Sequence, residues 1–382
     1  MLAERGQTTH AHSPQPGAAA QFGAVVYAAR SHLQRRLEHC LKMKFIVLRV
    51  TFAATVAILI EACMPGSFSV AQADALLPVT NQGALARSFA LPELGEVQLM
   101  APGTNEFRFG LDWTNEFSDH PALAGQPTPA ETIVLDGETQ RYAWNWRHGL
   151  EHGFEFGLQL PFYVNNGGVL DGIIHNYHEL FGFPDGGRSD APHDRYLYEY
   201  QRRNGQGQLV DVLNVHNSAT EFGDVQLQGG WRALPDLALH AMLKLPTGHS
   251  GHLTGGNLGS ALWADYDPFA GSQRWLGFLS AGGSINNTGY VIPEQQNRLV
   301  GLAGAGVGYR IWQPFAVIAQ FYGHTKLYDD SDVKPLRRGG LQGAFGGRYE
   351  INPHLAMNLA LQEDLITESS PDISFHASFV AH

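Results

Sequence analysis

From residue 105 to the end, apolar and polar side chains alternate with a period of two, and turn residues interrupt the alternation at intervals. That period predicts strands with one apolar face. Over 106–116, Phe107, Phe109, Leu111 and Trp113 oppose Glu106, Arg108, Gly110 and Asp112. Over 138–148, Tyr142, Trp144 and Trp146 oppose Arg141, Asn145 and Arg147. A third strand sets Phe154, Phe156, Leu158 and Leu160 against Glu155, Gly157 and Gln159, and Pro161 follows, a residue that cannot donate to a ladder. The rhythm resumes over 222–233 and 237–245. It continues near 257–267, 272–285, 299–310, 314–323, 339–350, 354–363 and 372–381.

These twelve segments have a regular punctuation. Short connections near 149–152, 234–236, 268–271, 311–313 and 351–353 alternate with longer ones near 117–137, 164–221, 246–256, 286–298, 324–338 and 364–371. Short turns on one side and long loops on the other are the layout of an outer-membrane barrel, and an even strand number brings both ends to the short-turn side. A soluble sandwich gives no reason for that regularity. The expected fold class is therefore all-β: a transmembrane antiparallel β-barrel of about twelve strands over 105–382. Its last strand, with Phe375 and Phe379 facing lipid and His376 and Ser378 facing inward, closes on the first.

Composition agrees with this. The chain is 44% hydrophobic but only 16% charged, with 44 Gly, 20 Pro and 11% aromatic residues, a profile of turns and rings. Met43, Lys44 and Arg49, the apolar run 50–60 and the small residues near Ala73 and Ala75 read as a signal peptide over 43–75. Residues 1–42 read as a non-native or disordered extension, and 76–104 as a periplasmic lead-in. Both cysteines, Cys40 and Cys63, precede residue 76, which suits a precursor crossing an oxidising periplasm. Ile60-Glu61-Ala62-Cys63 is faintly similar to a lipoprotein cleavage site, although Glu61 is unusual there. The formal net charge is −11, and seven of the 25 Lys/Arg but four of the 36 Asp/Glu precede residue 76, so the rest is more acidic still. That sign disfavours nucleic acid.

A resemblance supports the same picture. Leu77-Pro78-Val79-Thr80-Asn81-Gln82, Phe89-Ala90-Leu91-Pro92, Leu135-Asp136-Gly137-Glu138, Phe222-Gly223-Asp224 and Lys244-Leu245-Pro246-Thr247-Gly248 resemble segments of a proteobacterial family described as domain of unknown function 3187. So do Leu170-Asp171-Gly172 through Pro184, Glu363-Asp364 and Pro371-Asp372. The resemblance spans about residues 76–382. It implies an outer-membrane barrel-like protein and brings no activity with it.

Candidate chemistry falls in three places. On the polar faces, Arg108, Asp112, Arg141, Arg147, Glu155, Asp224, Arg232, Lys244 and Arg348 should line the lumen, with Glu106, Gln320, Gln342, Asn358 and Gln362 beside them. Twelve strands leave a narrow interior, which such groups either fill as an ion-pair network or line as a small pore. In the long connection, Leu170, Ile173, Ile174, Tyr177, Leu180 and Phe181 fall at helical spacing. A short amphipathic helix there would seat its apolar face on the barrel rim, in the lumen as a plug, or at the outer-leaflet boundary. His175, His178 and Glu179 on that helix are weak metal-ligand candidates, more simply read as its wet face. Tyr196–Gln201 and Leu209–Val215 suit a hairpin above the membrane. Finally, Asn214, His216 and Ser218 alternate as in a His-activated serine, the pattern of outer-membrane lipid hydrolases. His376 and Ser378 repeat that spacing, which shows how easily it arises.

The reading that follows is a monomeric outer-membrane channel or small-solute binding protein with no cofactor and no catalytic residue. Its partners would be outer-membrane lipid, lipopolysaccharide and the barrel-assembly machinery. Two alternatives are a lipid hydrolase using His216 and Ser218, and a structural or surface-interaction barrel.

Overall fold

A computed structural model describes residues 76–121, 129–172, 174, 191–366 and 368–382. The proposed signal peptide, the extension before it, and His175, His178 and Glu179 lie outside the described residues.

The first three strands are long: β1 (Asn105–His120), β2 (Glu131–Gly149) and β3 (Phe154–Asn166). Next come β4 (Leu197–Arg203), β5 (Leu209–Val215) and β6 (Ala219–Phe222), all short and all within the expected long connection. Then β7 (Gln226–Leu234), β8 (Leu237–Lys244), β9 (Gly259–Tyr266), β10 (Trp275–Asn286), β11 (Leu299–Trp312), β12 (Phe315–His324), β13 (Gly340–Asn352), β14 (Leu355–Asp364) and β15 (Ile373–Ala381) follow as a continuous meander.

Closure comes from two pairings. The last strand pairs antiparallel with the first, with Phe379 opposite Phe109 and His376 opposite Asp112. On the other side β2 pairs with β3, Arg141 opposite Tyr163. Setting aside β4, β5 and β6, twelve strands form the closed wall, as the alternation predicts. β6 is stacked in line with β7, so that β3 pairs with β7 below Leu160 and with β6 above Pro161. Pro161 cannot donate to a ladder, and its carbonyl instead accepts from Gly223 N–H at 2.8 Å, where the wall changes partner.

The barrel is inverted relative to a soluble protein. Outward residues along the wall are apolar and bare: Leu262 is 68% exposed, Phe345 66% and Leu299 71%. At the short-turn rim, aromatic rings pair across strands, Phe154 with Trp231 at 6.1 Å, Trp275 with Tyr309 at 4.9 Å and Trp312 with Phe315 at 5.0 Å between centroids. Such a girdle marks the membrane interface of an outer-membrane barrel, where an amphipathic ring is apolar on one side and wet on the other.

At the opposite rim the wall rises above the rest. The expected loop 117–137 is shorter than its sequence suggests, because the β1–β2 ladder continues to His120 opposite Ile133. Beyond Asn166, where β3 ends, β4 takes its place against β2 and β5 adds to β4, which realises the expected hairpin. The hairpin closes over the mouth. Tyr198 and Tyr200 are buried beside Ile133 and Leu135, the Tyr200 hydroxyl donates to Gln295 at 2.6 Å, and Glu131 accepts from Gln295 and Ser331. The apolar core lies beneath this roof and runs down inside the wall.

The first turn of the expected loop helix is described, with Ile174 N–H donating to the Leu170 carbonyl at 2.8 Å. Leu170 and Ile174 pack against Trp113, Leu361 and Ile373, all on the outward face of the wall. Its described first turn therefore lies outside the lumen, on the outer face of the wall.

Candidate functional site

The lumen is filled, and the chain that fills it is residues 76–101. Their sequence suggests a periplasmic lead-in; instead they run inside the barrel, nearly all buried. The physical reason is that the wall offers this segment partners that water would otherwise supply. Gln320 accepts from Leu77 N–H at 3.1 Å and donates back to the Leu77 carbonyl at 2.8 Å. Ala84 N–H reaches Glu116, Ala90 N–H reaches Asn286, Glu96 N–H reaches Asp265 and Met100 N–H reaches Glu155, at 2.7 to 3.0 Å. Wall side chains thus satisfy backbone groups that have no ladder of their own.

The segment enters alongside β12, turns through a short 3-10 helix (Leu85–Ser88) under the roof, and descends to join β1. At the turn, Arg87 is the pin. Its guanidinium donates to Asn165, to Thr139, and to the carbonyls of Gln82 and Leu253, at 2.7 to 3.1 Å, and it stacks 4.7 Å over the Tyr163 ring.

On the way down, the segment meets two unlike walls. Toward β1, β2 and β3 it presents Glu93 and Glu96. Glu93 binds Arg108 and lies 3.8 Å from Arg141, while Glu96 lies 3.2 Å from Arg108 and 3.6 Å from Arg147. Arg147 also pairs with Glu155 at 2.8 Å and Glu106 at 3.4 Å, and Arg141 with Asp112 at 2.7 Å. Toward β9 to β12 the same segment presents Leu94 and Val97, part of one apolar cluster with Trp263, Leu276, Phe278, Leu302 and Ile318. Glycines make the room there. A Cβ at Gly306 would lie 2.4 Å from the Phe278 ring, and one at Gly95, whose φ is +95°, would lie 2.7 Å from its other side.

Between segment and wall remains only a small void of about 40 Å³, lined by Arg87, Arg141, Lys244, Glu93, Asp224 and Tyr163 among others. Lys244 is ion-paired with Asp224 and donates to the Arg87 carbonyl at 3.2 Å.

The family model for a protein of unknown function, DUF3187, matches residues 56–381. The chain belongs to this family. No curated protein matches this DUF3187 member in sequence. Among solved structures, an outer-membrane channel from Pseudomonas putida F1 is similar at 11% identity, covering 75% of this chain and 98% of that one, with a TM-score of 0.48. The toluene transporter TbuX of Ralstonia pickettii is similar at 9% identity over 81% of this chain and 99% of that one, with a TM-score of 0.39. The monoaromatic hydrocarbon channel CymD is similar at 12% over 80% and 94%, with a TM-score of 0.38.

In this DUF3187 member, Arg108, Asp112, Arg141, Arg147, Glu155, Asp224, Lys244 and Arg348 are buried on the inner side of the wall. Arg232 sits apart from them. It is exposed at the short-turn rim and donates to the Leu99 carbonyl at 2.8 Å, where the segment leaves the lumen.

The two His-x-Ser pairs fall in different settings. Asn214, His216 and Ser218 are exposed at the end of β5, and Asn214 lies 3.2 Å from His216 Nδ1. No hydrogen bond among the described residues joins His216 to Ser218. Inside the wall, His376 connects Asp112 at 2.7 Å with Ser378 at 3.1 Å, and Asn358 donates to the Ser378 hydroxyl. Ser378 is 1% exposed, so this relay ties three strands together in the packed wall.

Proposed function

We propose that the chain is an outer-membrane channel for small amphipathic solutes whose lumen is closed at rest by its own residues 76–101. The observation that carries this reading is that the interior is filled by a segment outside the wall's ladder. A barrel built only for strength could fill its lumen with wall side chains. Here the filling is joined to the wall at one end and held by side-chain bonds, so it can shift while every strand pairing persists. The gap beside it has room for little more than water while the segment is seated, but once the segment shifts the lining, from Arg87, Arg141 and Lys244 to Phe89 and Tyr163, offers a solute both charges and rings. In this reading outer-membrane lipid and lipopolysaccharide surround the apolar band, the assembly machinery inserts the barrel, and the unit works as a monomer without cofactor.

Planar-bilayer recording tests it. The full barrel should conduct little, and deletion of residues 76–91 should raise single-channel conductance several-fold. A second variant, Glu93→Gln with Glu96→Gln, loosens the segment while leaving it present and should raise the frequency of openings. Folded variants that conduct no more than the parent would overturn the reading. The hydrolase reading has weaker support, since His216 and Ser218 are not bonded to each other.

A further inference from the structure

The loop between β8 and β9 carries a cluster that the channel reading does not use. His249 and His252 stand at either end of a single 3-10 turn (Ser250–His252), and Glu221 faces them from β6. One donor atom from each of the three lies within 4.8 Å of the other two. The His252 Nδ1 is 2.7 Å from a Glu221 oxygen, and the two imidazoles stack with centroids 4.5 Å apart and 29° between planes.

The scaffold beneath is built and held. Asp224 accepts from Gly248 N–H and Gly256 N–H at 2.8 Å, closing the loop at both ends, and is itself paired with Lys244. Across the turn, His249 N–H donates to the Thr254 hydroxyl at 2.9 Å, and Thr254 N–H to the His249 carbonyl at 3.2 Å. Leu253, in the left-handed region at φ 55°, is buried and anchors the turn from below. Gly251 leaves room for His249 to fold over the turn, since a Cβ there would come within 3.1 Å of the ring. On the other side Glu221 is fixed by the β3–β6 ladder, opposite Tyr163.

We infer that His249, His252 and Glu221 bind a divalent transition-metal ion of the zinc class at the loop-side mouth of the barrel. Two imidazoles and one carboxylate form a borderline donor set that suits Zn²⁺, Co²⁺, Ni²⁺ or Cu²⁺ and lacks the oxygen count that Ca²⁺ needs. A tetrahedral ion at ordinary Zn–N and Zn–O lengths places donors about 3.4 Å apart, so side-chain rotation of about an ångström completes the site. The cluster is partly exposed, and water fills the remaining position. The ion replaces the His252–Glu221 hydrogen bond and fastens the loop to β6. That loop also receives the filling segment, because the Leu253 carbonyl accepts from Arg87 at 3.0 Å, while the His252 carbonyl accepts at 2.9 Å from Asn165 on β3, itself an acceptor from Arg87. Metal binding therefore stiffens the seat of Arg87, and this does not depend on whether the lumen conducts.

The test uses full-length protein in detergent, prepared without a polyhistidine tag and titrated with Co²⁺ while its visible d–d absorption is read. One saturable equivalent with a low-coordinate spectrum is expected, displaced by Zn²⁺. His249→Ala and His252→Ala should each weaken binding by more than about tenfold, and Glu221→Gln should do so as well. Heat-modifiable gel migration checks that each variant is folded. Hydrogen exchange of 248–256 should slow when Zn²⁺ is added to the parent and stay unchanged in the His249→Ala, His252→Ala double variant. No saturable Co²⁺ binding by the parent, or binding that survives the double variant, would sink the proposal. Unchanged affinity in Glu221→Gln would remove Glu221 and with it the three-residue site.

Discussion

The two walls that face the filling segment solve the same problem by opposite means. The β1–β3 wall holds it through buried guanidinium–carboxylate pairs, each with a defined partner and geometry. The β9–β12 wall holds it through contact with Phe278, Leu276 and Ile318, which has no required register. The difference teaches how a mobile filling can be positioned. A buried ion pair gives little net stability, because desolvation offsets most of the attraction, but removing one partner strands a charge at a cost of about 3–5 kcal/mol. Apolar contact stabilises roughly in proportion to area and tolerates sliding. The charged wall therefore fixes where the segment stops, and the apolar wall supplies adhesion while it moves.

The largest effect expected from this contrast is at Arg147. Its replacement by Ala leaves Glu155, Glu106 and Glu96 facing one another, and should cost about 3–5 kcal/mol in denaturant unfolding from detergent. Adding Glu155→Gln should recover part of that loss, since one orphaned charge goes with it. If Arg147→Ala unfolds as the parent does, the charged wall does not position anything.

On the apolar wall, Phe278→Ala removes a ring that is 1% exposed and sits between Gly95 and Gly306. It should cost about 3–4 kcal/mol, toward the lower end of the range for buried Phe, because the segment can settle into the space. Gly306→Val asks the opposite question. Its branched side chain would collide with Phe278 and should cost about 1–3 kcal/mol, with a larger rise in segment mobility than in unfolding. Equal effects on both readouts would mean that this wall also sets register.

The strands were legible because their chemistry is periodic. Phe107, Phe109 and Trp113 against Arg108 and Asp112 suffice to assign faces, and the twelve wall strands overlap their expected positions, with β1, β2 and β3 running longer at the loop side. The filling segment was not legible, for the reason that makes it a filling. Its backbone bonds go to Gln320, Glu116, Asn286 and Asp265 on distant strands, so nothing repeats along it. One signal was available. Arg108, Arg141 and Arg147 crowd the inner face of two adjacent strands, and Glu93 and Glu96 stand in the one stretch without a period. The extended β1–β2 ladder was hidden for a related reason: its upper end pairs with β4, a strand more than sixty residues away in sequence. Glu221 with His249 and His252 was not legible either, because a short strand and a separate loop bring them together.

The smallest effect is at the loop-side rim, above the part of β1 that faces the filling segment. Glu368 receives hydrogen bonds from His120 and from Lys334 at 2.9 Å, joining three loop-side segments. Burial pushes its carboxyl up, but the His120 and Lys334 bonds outweigh this and hold it below its ordinary value of 4.5. A depressed carboxylate contributes stability that is fully present above its unfolded pKa and is lost as pH falls through the folded value. The Glu368 contribution is complete above about pH 5, and loosening on its account should begin below about 4.5 and deepen as the pH drops further. The group is partly exposed, so the loss is on the order of 1 kcal/mol or less. Hydrogen exchange of residues 365–372 in detergent should rise below that threshold, and Glu368→Gln should raise it at every pH and abolish the step. A step that persists in the Gln variant would assign the acid response to another group, leaving the roof held by Tyr198, Tyr200 and the apolar contacts beneath them.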